Sequence, residues 1–144
     1  MTDILDRPTI AEPLIELERA PGSGDSPSVA VRTLLAVLCG AAAAIHFAMA
    51  PAHAAEWRVE GVAFVASAWI QAVLAIALAV RPSRRWLTAA VVCNLAFIGA
   101  WAFSRTAGLP SGPNAGVVEA VTSVDLTCVV LEGLIVAVAI AALL

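Results

Sequence analysis

The sequence predicts an all-α protein, an integral membrane four-helix bundle with its N and C termini both cytoplasmic. Three observations carry that expectation. Hydrophobic residues make up 61% of the 144 and charged residues only 13%, whereas a soluble domain has about a quarter of its residues charged. Four apolar runs approach or exceed the roughly 20 residues a helix needs to cross hydrocarbon. The basic residues gather at one set of links. A chain this short cannot hide so much apolar surface in one water-soluble core, and its mean hydropathy is +0.93.

Residues 1–28 stand apart. Asp3, Asp6, Glu12, Glu16, Glu18 and Asp25 face only Arg7 and Arg19, and the segment ends in Pro-Gly-Ser-Gly-Asp-Ser-Pro-Ser. That composition predicts a disordered acidic cytoplasmic tail. Residues 29–144 form the membrane domain, with helices at about 33–50, 61–80, 86–103 and 120–144. Lipid supplies no hydrogen-bond partners, so backbone groups must be satisfied within each segment, as in a helix. The first run stops at Pro51. A rival reading takes Ala52-His53-Ala54 as a signal-peptidase site, but the preceding segment is acidic and the apolar run too long for that pattern.

Orientation follows from the arginines. The link Arg81-Pro-Ser-Arg84-Arg85 has three basic residues and no acid, and Arg32 precedes the first run; basic links stay inside. Links 51–60 and 104–119 then face outward, with Trp57 and Trp101 at the outer interface and Trp86 at the inner one. Every basic residue is Arg and Ala is abundant, a composition that suggests a GC-rich bacterial genome and hence the bacterial inner membrane.

Several chemistries are absent. No basic patch suits nucleic acid, and the net charge is −3. Cys39, Cys93 and Cys128 lie far apart without a C-x-x-C, so no thiol–disulfide relay or structural zinc site is indicated. There is no H-E-x-x-H and no Gly-rich phosphate loop. A di-iron carboxylate bundle uses two Glu-x-x-His motifs, and only one reversed His-x-x-Glu occurs here. Nothing marks a nucleophile, so the protein reads as non-catalytic.

Ionisable groups inside a membrane helix cost roughly 2.5–3.5 kcal/mol each on insertion scales and so mark sites. His46 and His53, seven apart, share a face of the first helix, and Glu56 joins them if the helix persists past Pro51. Asp125, Cys128 and Glu132 form one stripe of the fourth helix. Counting inward from Pro51 puts His46 near the level of Asp125 and Cys128. In the outer half Glu56, Glu60, Glu119, Asp125 and Glu132 oppose only Arg58 and Arg105. Such a surplus suits a bound cation or proton transfer, and imidazole with carboxylate suits a transition-metal ion such as Zn, Cu, Fe or Ni. The expected site therefore comprises His46, Asp125 and Glu132, with His53 and Glu56 at its mouth. Gln71, Asn94 and Cys128 are the remaining interior polar groups. Arg105 has no acidic sequence neighbour, and Glu119, Asp125 and Glu56 are its candidate partners beneath a Gly/Pro-rich lid. The alternative is a structural or assembly subunit in which these groups only lock helix to helix. The expected partners are the lipid bilayer and either a second copy or a membrane complex, since the Ala41–Ala44 run permits close helix approach.

The His53-Ala-Ala-Glu56-Trp57 element, Gln71, Asn94, Trp101 and the Arg105-Thr-Ala-Gly-Leu-Pro-Ser-Gly-Pro link resemble a group of small four-helix bacterial inner-membrane proteins. With Glu119, Asp125 and Glu132, the likeness covers residues 33–144. It implies the fold and no chemistry.

Overall fold

The computed structural model describes residues 27–144. Residues 1–26, most of the expected acidic tail, lie outside the described residues. Four helices follow: α1 Val29–Glu56, α2 Arg58–Val80, α3 Arg84–Thr106 and α4 Ser123–Leu143. Each is long and apolar enough to cross a membrane; the shortest, at 21 residues, spans about 31 Å. Every helix packs on its chain neighbours and α4 closes back onto α1, giving a ring. One end of the bundle holds Arg32 and the Arg81–Arg85 link. The other holds the reversal at Trp57 and the long link between α3 and α4.

Sequence-coded caps fix most boundaries. Ser28 and Ser83 accept from the backbone N–H of Val31 and Trp86, at 3.3 and 3.4 Å. Thr122 and Asp125 form a reciprocal capping box, so α4 starts at Ser123 and not at 120. Hydropathy alone overruns that boundary, since the cap lies inside the apolar run. At the Arg-rich end the Arg32 guanidinium donates to the Ala79 carbonyl, one of the acceptors left unpaired at the end of α2.

Pro51 does not end α1, which continues through it to Glu56. Proline removes one donor, and packing against α2 holds the extra turn in place. Only Trp57 separates α1 from α2. The close approach depends on Gly61, where a Cβ would overlap Ala54 Cβ. Gly61→Ala is therefore expected to destabilise the hairpin by about 1–3 kcal/mol through overpacking. Thermal unfolding in detergent measures it, and an unshifted midpoint would show that the helices separate freely.

The core lies toward the Arg-rich end, where Leu35, Leu74, Leu78, Leu87 and Ile135 are buried. Halfway along, Gln71 Nε2 donates to Asn94 Oδ1 (2.7 Å), and Asn94 Nδ2 donates to the Ala90 carbonyl (2.8 Å). Both side chains are fully buried, and their bond ties α2 to α3. Outward faces are apolar: Val37, Val62, Ile76, Val92 and Val130 are all exposed.

Candidate metal centre

The buried carboxylate of the bundle is Glu132, 2% exposed in the third turn of α4. His46 reaches it from α1, with Nε2 3.1 Å from Glu132 Oε1. Cys128, one turn earlier on α4, places Sγ 3.7 Å from His46 Nε2, and its thiol donates to Glu132 Oε1 at 3.7 Å. Phe64 and Phe97 meet the imidazole edge-on, with centroids 5.7 and 5.6 Å away, and hold its plane.

These three edges have the dimensions of a coordination face. Tetrahedral zinc, with bonds of about 2.3 Å to sulfur and about 2.0–2.2 Å to nitrogen or oxygen, separates its ligand atoms by roughly 3.3–3.6 Å. The observed 3.1, 3.7 and 3.7 Å differ from those values by a few tenths of an ångström. Charge agrees as well. Thiolate and carboxylate together balance a divalent ion, with the imidazole neutral, and uncompensated charge is costly at this depth.

The position of Asp125 differs from the sequence expectation. Its Oδ2 accepts from Arg105 Nη2 at 2.9 Å and from the Thr122 backbone N–H at 3.0 Å, so it serves the cap and the charge pair. The reason is the length of α1. With the helix extending to Glu56, His46 lies about 15 Å from its end, about 7 Å deeper than a stop at Pro51 implies. It therefore meets Cys128 and Glu132. Cys128, expected only as an interior polar group, stands beside both.

The other expected groups lie nearer the link end. His53 Nδ1 is 2.9 Å from Glu60 Oε1, off the N–H axis, and its ring stacks on Phe64 at 3.9 Å. Glu56 is exposed and borders a shallow pocket under the link; Glu60 occupies the position at the mouth expected for Glu56. Arg105 Nη1 donates to Glu119 Oε2 at 2.6 Å while Nη2 takes Asp125, and its guanidinium lies over the Trp101 ring. Two of its three candidate partners are thus engaged together. The link closes over this pair with defined turns, Gly116 N–H to Leu109 O (2.8 Å) and Glu119 N–H to Ser104 O (3.2 Å). At Gly112, φ is 106° and a Cβ would lie 2.8 Å from the Trp57 ring, so only glycine lets the link lie on the hairpin.

Between the His46 cluster and the Arg105 pair lies a cavity of about 280 Å³ bordered by all four helices. No family model, curated protein or solved structure matches the chain. The functional reading therefore rests on this geometry alone.

Proposed function

We propose that the protein is a multi-pass membrane protein that holds a divalent transition-metal ion at His46, Cys128 and Glu132, in the half of the bundle away from the Arg-rich end. The single observation behind the reading is that cluster: a nitrogen, a sulfur and an oxygen on two helices, within 4.8 Å of one another and buried. Its softness suits zinc or copper over magnesium or calcium. Three protein ligands leave a fourth position open, as in zinc sites that exchange a ligand. The apolar outward faces sit in lipid, and the Arg-rich end lies in the cytoplasm, as basic links do. His53 and Glu60, with Glu56 and Glu119 outside them, give the mouth a cation-attracting rim. The protein binds or conducts the ion and does no chemistry on it.

Elemental analysis of the purified protein, wild type beside His46→Ala, tests the reading. Near-stoichiometric zinc or copper in the wild type, lost in the variant, is expected. Absence of metal from the wild type after incubation with Zn, Cu, Fe and Mn would leave the cluster as a hydrogen-bonded clasp between α1 and α4.

A further inference from the structure

The cavity is larger than a metal site requires. A water occupies about 30 Å³ of liquid, so an ion with one water leaves most of the 280 Å³ vacant. Protein interiors are close-packed, and the Arg-rich half of this bundle conforms, with Leu35, Leu78, Leu87 and Ile135 at most 1% exposed. The space is confined to the other half. Its walls are apolar and partly aromatic, including Ile45, Met49, Phe64, Phe97 and Val129. A hydrated ion gains nothing from such walls, whereas a flat apolar ring does. Polar groups gather at the His46 cluster and at the link end, where Arg105, Asp125, Glu119, His53 and Glu60 line it, with Ser67 on the α2 side.

The wall between α2 and α3 is the thin one. These helices share the sparsest of the four interfaces. Ala63 on α2 and Ala100 on α3 border the cavity and are exposed, and half-buried Ser67 lies one turn from Ala63. Small side chains on both sides leave a slot that, in a membrane, opens to lipid.

We infer that the chamber binds a lipid-soluble aromatic molecule bearing one oxygen head, of the phenol class, which enters between α2 and α3. The ring lies along the apolar wall of Ile45, Met49 and Val129, and the oxygen meets the His46–Glu132 end. Pockets for small molecules start near 300 Å³, which matches a fused two-ring guest. The inference rests on the membrane placement proposed above and not on the metal.

The test is equilibrium uptake of 1-naphthol and of naphthalene by the full chain in lipid nanodiscs, against empty discs. One saturable equivalent of 1-naphthol is expected above the partition into lipid. Naphthalene, without the hydroxyl, should bind about tenfold more weakly, the effect of one hydrogen bond to a charged group. Ala63→Phe and Ala100→Phe, which block the slot from its two sides, should each abolish the saturable component. Metal content measured on the same discs separates this result from the metal reading. Purely linear uptake by the wild type would overturn the inference, as would equal affinity for naphthalene. Saturable binding that survives both phenylalanine variants would also overturn it.

Discussion

Cys128→Ser should weaken metal binding about a hundredfold, while Asp125→Asn weakens it by about tenfold at most. The first figure assigns one ligand of a small zinc site about 3 kcal/mol; the second is the lower end of the roughly 10–100-fold cost of changing a group that bonds to a ligand, an upper bound for Asp125, which bonds Arg105 and Thr122 instead. The two residues share a stripe of α4 and differ in what they touch. Cys128 Sγ is 3.7 Å from His46 Nε2, whereas Asp125 is held by Arg105 and its own cap. Cobalt gives a direct readout. A thiolate-to-cobalt charge-transfer band should appear in the wild type and in Asp125→Asn and be missing from Cys128→Ser. The reverse pattern would move the ligand set one turn toward the link, to the level the sequence first suggested.

Arg105→Met should lower the thermal stability in detergent by about 2–4 kcal/mol, because it leaves carboxylates without their counter-charge in a confined space. The Asp125 arm carries most of this. The Asp125 side chain is 12% exposed and that of Glu119 31%, so water screens the second contact more. Arg105→Lys should recover only part of the loss, since an ammonium does not bridge two carboxylates as the planar fork does. Adding Asp125→Asn to Arg105→Met should restore more than half. An unchanged midpoint in Arg105→Met would mean that the link is held by its turns alone.

Much of the architecture was legible because lipid-compatible helices must be long, apolar and complete. Residues 61–80 lack any charge and fall within α2 as read. The reading went astray where a single residue had two physical meanings. Pro51 looks like a stop, since it removes a backbone donor, yet the Gly61–Ala54 contact gives the following turn a partner. That contact lies between two helices and leaves no trace in a one-dimensional pattern. The error propagated: a shorter α1 put His46 near the level of Asp125 as well as Cys128. Thr122 and Asp125 carry a readable capping signal, masked by the hydrophobicity around it. The pairing of His53 with Glu60 depended on how tightly the chain reverses at Trp57. Cys128 was legible as a member of the Asp125–Glu132 stripe. That it, and not Asp125, meets the imidazole of His46 was not legible, since the two lie only one turn apart.

The three atoms of the candidate centre come from the first and last helices, with His46 and Cys128 82 residues apart. In the proposed membrane placement, α1, α2 and α3 enter the bilayer with His46 beside Phe64 and Phe97 but without Cys128 or Glu132. The cluster comes into being only when α4 has been released and has docked against α1. A chain stalled or cut short before α4 lacks the thiol and the carboxylate that meet this imidazole, Cys128 and Glu132. Capture of an ion would then report that synthesis and assembly are finished.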